Sequence, residues 1–122
     1  MKNVFMLAML ISTLAFTSCK QENPSPYQGN YAGTFSGDDS GIWSGTIDEN
    51  GMLNGTGISS TVPGIPFELK GSVTDQGELA ASLNIPLFGA ISFTGNIVDN
   101  KVNGTWLNAT SALEGTFEGQ KN

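Results

Sequence analysis

One short motif recurs eight times along this chain and restricts what it can fold into. Each copy has a large apolar residue, any residue, a glycine, any residue and a second large apolar residue. Gly57 replaces a large residue in one copy, and Ala81 replaces the glycine in another. The copies are Tyr31-Gly33-Phe35, Trp43-Gly45-Ile47, Leu53-Gly55-Gly57, Leu69-Gly71-Val73, Leu79-Ala81-Leu83, Phe93-Gly95-Ile97, Val102-Gly104-Trp106 and Leu113-Gly115-Phe117. Successive side chains of a strand point to opposite faces, so this alternation predicts eight strands, each with one dry face.

The linkers between copies predict how the strands connect. Asp48-Glu49-Asn50-Gly51, Thr74-Asp75-Gln76-Gly77 and Asp99-Asn100 carry residues that accept positive φ or cap a tight turn. The predicted fold is therefore all-β, a small antiparallel eight-stranded up-and-down (meander) barrel, with a two-sheet β-sandwich as the alternative. The outward positions are mostly small or polar, which argues against a membrane-spanning barrel.

The glycines share a face with the large residues and are expected to point inward. A glycine within a strand costs roughly 0.5–1 kcal/mol, so a narrow waist that must bend sharply is the expected reason for them. The waist is then either a solid core or a cavity for a small ligand. The residues of the inward layer that would line such a pocket are Phe35, Trp43, Phe93 and Trp106.

Alternating strand direction gives the barrel two unlike ends. The tight turns and both termini fall at one end. The longer connections fall at the other, here called the loop end, and two of them are apolar and interrupted by proline. Either these loops plug the barrel, or they form a binding mouth. The expected partner-binding residues of the loop end are Val62, Ile65, Phe67, Leu87 and Phe88.

Composition excludes several functions. Without residues 1–18 the chain keeps four lysines against eleven carboxylates, a net charge near −7, and it has no arginine and no histidine. Nucleic acid needs a cationic surface, so it is not an expected partner. Catalytic triads and the usual zinc sites lack their ligands, and we expect no enzyme, no metal and no cofactor. Asp38 and Asp39 could contribute to a Ca²⁺ site, but no full calcium-loop spacing is present.

The N-terminal segment is typical of a bacterial export signal. Lys2 is followed by an apolar run from Val4 to Phe16, and Thr17-Ser18 precede Cys19, the only cysteine. This ending resembles the lipobox of bacterial lipoproteins, with Phe16 where the lipobox usually has leucine. The resemblance implies cleavage before Cys19 and a lipid on Cys19 that anchors the protein in the cell envelope, with the outer membrane expected and the face left open. The alternative is an ordinary secretory signal with an incidental cysteine.

The predicted organisation is a signal peptide over residues 1–18, an acylated cysteine and flexible tether over 19–29, and one barrel domain over 30–120. Within the domain, Gly104-Thr105-Trp106 and Ala112–Gly119 resemble the last hairpin of the barrels in transferrin-binding-protein-B-type surface lipoproteins. That resemblance implies a lipidated barrel that holds a protein by its loops. Streptavidin-like barrels share the Gly-x-Trp sequence pattern, but the sequence contains no set of polar residues of the kind that binds biotin.

These observations predict a non-catalytic envelope lipoprotein that binds a small apolar ligand or a protein at its loop end. The alternative is a protein inhibitor of a secreted hydrolase, similar to lysozyme or protease inhibitors, that acts through the acidic loop of Asp38 and Asp39. An open pocket near Trp43 and Trp106 would favour a small apolar ligand, and a flat apolar patch would favour a protein.

Overall fold

The computed structural model describes residues 24–85 and 89–122, and their regular structure is entirely β-strand. None of the described residues belongs to a helix that could cross a membrane. The strands are β1 (Gly29–Gly37), β2 (Gly41–Ile47), β3 (Met52–Ser59), β4 (Phe67–Val73), β5 (Glu78–Ile85), β6 (Gly89–Val98), β7 (Lys101–Asn108) and β8 (Leu113–Lys121).

The eight strands close into one barrel in chain order. Each strand is antiparallel to the next, and β8 pairs with β1 so that Phe35 lies opposite Phe117. The predicted meander barrel is confirmed, and each copy of the repeated motif lies within one strand. Closure pairs the first and last strands, so neither β1 nor β8 presents a free edge of the kind that promotes aggregation.

Tight turns join the strands at the end that carries both termini. In the β2–β3 turn the Asp48 carboxylate accepts the N–H groups of Asn50 and Met52, both at 2.9 Å. In the β6–β7 turn Asp99 and Asn100 have φ angles of 54° and 66°. Positive φ at both central residues is the requirement of the type I′ two-residue hairpin turn, and Asp and Asn tolerate it.

Large side chains fill the interior of the barrel. Phe93 and Trp43 each meet the ring of Phe117 edge-on, with centroids 5.4 and 6.2 Å apart. The void among these rings measures only about 10 Å³, room for one water molecule at most. The waist of the barrel is therefore a solid core without room for a ligand.

The inward glycines allow the strands to approach closely at this waist. Gly95 of β6 lies opposite Gly104 of β7. A Cβ atom on Gly95 would lie 3.0 Å from the Gly104 Cα and still closer to the carbonyl oxygen of Asn103. A Cβ on Gly119 would instead meet the Trp43 ring, at 2.5 Å. The glycines thus make room both for neighbouring backbone and for aromatic rings.

The segment before β1 crosses the tight-turn end. The Ser25 N–H donates to the Glu49 carbonyl at 2.8 Å, and Tyr27 packs against the core. The buried Tyr31 hydroxyl donates to the Tyr27 carbonyl at 2.7 Å. Burial, with a smaller contribution from Tyr27, raises the pKa of Tyr31 above 10.0. The chain therefore enters the barrel at the end opposite the long loops.

Candidate ligand pocket at the loop end

A cavity of about 1160 Å³, partly open to solvent, lies at the loop end. We call it the mouth pocket. Its lining comes from both sides of the barrel, from the β1–β2 loop and β8 on one side to β4 and β5 on the other. In a closed eight-stranded barrel the β8–β1 and β4–β5 walls are opposite each other, so the pocket extends across the whole mouth.

Four inward side chains form its apolar floor: Phe67, Leu83, Ile91 and Trp106. The Trp106 ring is fixed, because its Nε1–H donates to the Ser36 carbonyl at 3.0 Å and its ring meets Phe35 edge-on at 6.1 Å. Phe67 also packs edge-on against Phe35, at 6.2 Å, and its ring lies over Gly57. Phe35 is therefore covered by the floor residues.

The β3–β4 loop forms one side of the pocket with Val62 and Ile65. It holds its own shape, since the Val62 N–H donates to the Ser59 carbonyl at 3.1 Å and the Ile65 N–H donates to the Val62 carbonyl at 3.3 Å. Ile65 keeps 66% of its surface exposed. An apolar side chain left this open beside an apolar floor suits contact with a ligand.

Two aspartates connect the loops of this end through hydrogen bonds. The Asp39 carboxylate accepts hydrogen bonds from the Ser59 hydroxyl at 2.7 Å and the Thr61 hydroxyl at 2.9 Å. The Asp38 carboxylate accepts the Glu114 N–H at 3.0 Å. These bonds connect the β1–β2 loop to the β3–β4 loop and to β8. Both carboxylates thus serve the loop framework, and the described residues contain no cluster of three or more metal-binding side chains.

The barrel wall is incomplete between β4 and β5 at the loop end. Their ladder of paired residues ends at Lys70 and Ser82. Yet β4 stays paired with β3 as far as Phe67, and β5 stays paired with β6 as far as Ile85. We call the gap between residues 67–69 and 83–85 the β4–β5 notch. The outward side chains beside it also line the mouth pocket; they are Glu68, Lys70, Ser82 and Asn84.

The structure separates the residues predicted to form a pocket. Trp106 lines the mouth pocket, whereas Trp43 and Phe93 line the small void of the solid waist and Phe35 lines neither cavity.

The residues predicted to bind a partner are also divided. Val62, Ile65 and Phe67 line the mouth pocket. Leu87 and Phe88 lie outside the described residues, as does Cys19.

Sequence reasoning missed half of the floor and all of the notch. Leu83 and Ile91 could have been found, because each continues the inward alternation of its strand towards the loop end. The notch has a weaker signal in Pro66, which directly precedes β4. Proline has no N–H to donate, so it cannot donate to a continued β4–β5 ladder.

No protein-family model matches this chain, and no curated protein matches it in sequence. Any assignment of function therefore depends on the mouth pocket itself. Its apolar floor can hold an apolar group away from water, while the polar side chains of its rim can hydrogen-bond a more polar part of the same molecule.

Proposed function

We propose that this protein is a non-catalytic, lipid-anchored lipoprotein of the bacterial cell envelope, in the outer membrane, and that it binds a small apolar ligand in the mouth pocket. The observation that carries the proposal is the pocket, which is concave, has an apolar floor and is open at the end away from the chain termini. Ligand pockets of small-molecule binding proteins commonly measure roughly 300–1,000 Å³. The mouth pocket is of that order, and part of its 1160 Å³ is open to solvent.

The shape of the site favours a small molecule over a protein partner. A protein would be expected to dock on a flat or convex apolar patch, whereas Trp106 lies 4% exposed at the bottom of a cavity. The inhibitor alternative would use the acidic loop, but the Asp39 carboxylate already accepts bonds from two side-chain hydroxyls and from the Ser40 N–H.

The position of the N-terminus is consistent with the proposed anchor. Residues 24–28 run along the tight-turn end, so a lipid on Cys19 would attach the protein to the membrane from that side. The mouth pocket would then face away from the membrane. The acidic protein surface would add no attraction to anionic lipid, which leaves the anchoring to the acyl chains.

The test uses the mature chain, residues 19–122, with Cys19→Ser so that neither lipid nor detergent is present. The core side chains of the described residues lie between Tyr27 and Phe117, so this chain keeps the core contacts that they make. A cooperative thermal unfolding transition is the control that the protein is folded. Binding of N-phenylnaphthylamine, a neutral apolar fluorophore, is followed by energy transfer from tryptophan. Trp106 in the pocket floor is the expected donor.

Two exposed isoleucines provide a matched pair of variants. Ile65 and Ile42 are 66% and 58% exposed, but only Ile65 lines the mouth pocket. Ile65→Ser should weaken binding about three- to tenfold, as expected for partial loss of a contact worth 1.5–3 kcal/mol when fully buried. Ile42→Ser should leave it unchanged. Ala90→Trp, which places a large ring at the pocket rim, should abolish binding. Equal effects of the two serine variants would contradict the proposal.

A further inference from the structure

The lining of the mouth pocket indicates that it extends into the barrel wall as well as opening at the top of the barrel. Leu83 points inward and Ser82 and Asn84 point outward, yet all three line the same cavity. Side chains from both faces of one strand line a single cavity where the wall beside that strand is open or where the strand ends. The β4–β5 ladder ends at Lys70 and Ser82, which provides that opening.

The cavity is also long and shallow. The solid core below it stops a ligand from going deeper, because the void there is only about 10 Å³. Across the mouth, in contrast, the lining reaches from Leu113 of β8 to Lys70 and Ser82 of the opposite wall. A ligand that fills this space must therefore be extended and must lie across the barrel, with one end in the notch.

The two parts of the cavity differ in chemistry. Its centre is apolar, with Trp106, Ile91 and Leu83. The notch carries hydroxyl, amide, ammonium and carboxylate groups, all on exposed residues. A polar group buried without a hydrogen bond costs several kcal/mol, so the polar part of a ligand would lie in the notch, where both water and side-chain partners are available.

The charged side chains that line the pocket determine which type of polar head group a ligand can have. Lys70 is the one cation among the described residues that line the cavity, and Glu68 lies two residues away on the same outward face of β4. Asp38 and Asp39 add two further negative charges at the opposite rim. The resulting excess of negative charge disfavours an anionic head.

We propose that the ligand is an amphiphile with one alkyl chain and an uncharged or zwitterionic head. The chain lies across the mouth on Trp106 and Leu83, and the head lies in the β4–β5 notch beside Glu68 and Lys70. This inference rests on the proposed function, since it names the class of ligand for the same pocket.

The first experiment compares heads on a constant chain. An alkyl maltoside, an alkylphosphocholine and a fatty acid of equal chain length, each below its micelle concentration, compete with N-phenylnaphthylamine for the mature Cys19→Ser chain. The neutral and zwitterionic amphiphiles should displace the fluorophore at concentrations about three- to tenfold lower than the fatty acid requires. This factor corresponds to a repulsion of about 1 kcal/mol between the carboxylate head and the negative charges of the lining.

The second experiment moves charge at the notch. Glu68→Lys should strengthen fatty-acid binding about three- to tenfold, because it replaces a like charge by an opposite one beside the head. Glu78→Lys is the matched control, since it makes the same charge change on an exposed outward residue of β5 at the tight-turn end. It should leave the displacement curve unchanged.

The outcomes separate this inference from the proposed function. If the fluorophore binds but no amphiphile displaces it, the proposed binding function of the pocket is supported and the proposed class of ligand is wrong. If the fatty acid competes as well as the other two, or if both lysine variants behave alike, the head does not lie in the notch and the inference fails. If the fluorophore does not bind at all, both the inference and the proposed function fail.

Discussion

Replacing Gly95 by valine tests whether crowding at the barrel waist, rather than strand propensity, explains the repeated glycines. Valine suits strands, and on propensity alone Gly95→Val would stabilise the fold by up to about 1 kcal/mol. The structure predicts the opposite sign. The new Cβ would lie 3.0 Å from the Gly104 Cα and still closer to the Asn103 carbonyl oxygen. Both obstacles are backbone atoms of a paired strand, which cannot rotate away.

Overpacking of this kind costs about 1–3 kcal/mol, and rigid backbone places Gly95→Val at the upper end of that range or beyond it. Gly71→Val should behave alike, since its Cβ would lie 2.5 Å from the Ala81 Cα. Thr94 provides the control, because it is the exposed, outward neighbour of Gly95. Thr94→Val should change the free energy of unfolding by less than about 0.5 kcal/mol.

The assay is urea denaturation followed by tryptophan fluorescence. With a slope of roughly 1–3 kcal/mol per molar urea, a loss of about 2 kcal/mol lowers the midpoint by about 1 M. A second control is Gly64→Ala, where an added Cβ would meet nothing within 4 Å. Its midpoint should not fall. Equal midpoints for Gly95→Val, Gly71→Val and Thr94→Val would refute the argument that inward crowding selects glycine.

Three further predictions concern the loop framework, the buried tyrosine and the anchor. Asp39→Ala removes the acceptor of the Ser59 and Thr61 hydroxyls, so amide exchange in residues 59–66 should accelerate, while Asp75→Ala should leave it unchanged; unchanged exchange in both would contradict the role of Asp39. Burial raises the pKa of Tyr31 above 10.0, so its neutral hydroxyl stabilises the fold below pH 10 and that contribution is lost as the pH rises further. Stability should therefore fall more steeply above pH 10 in the native sequence than in Tyr31→Phe, and parallel curves would refute this. Mass spectrometry of the native protein should show a diacylglyceryl group on Cys19, whereas a free thiol in a soluble protein would exclude the lipid anchor.

The barrel could be predicted from the sequence because the information is local. Strict alternation identifies a strand wherever it occurs, and the inward parity of Phe93, Gly95 and Ile97 depends on β6 alone. The turn at Asp99-Asn100 is equally local, since both residues accept the positive φ that they adopt. Closure could also be predicted. Eight strands linked in sequence by hairpins leave the first and last strands with exposed edges unless these two strands pair with each other.

The pocket could not be predicted in the same way because it depends on stagger between strands. Trp43 and Trp106 occupy equivalent inward positions near the loop end, yet only Trp106 reaches the mouth pocket. Strands of a barrel are tilted and shifted against their neighbours, and this shift sets the depth of each ring. The ties made by Asp39 also lie beyond local reasoning, because they join residues that are 20 and 22 positions apart.

The solid waist and the open mouth are two consequences of the same alternation. Where glycine faces a large residue, as Gly104 faces Phe117, the large side chain fills the space above the glycine and the interior closes. At the loop end the strands run out, and the β4–β5 ladder stops before either strand does. Inward residues such as Leu83 and Ile91 then line the mouth pocket. Under the proposed function, a ligand would therefore lie across the mouth of the barrel, and the notch rather than the interior would select its shape and its head group.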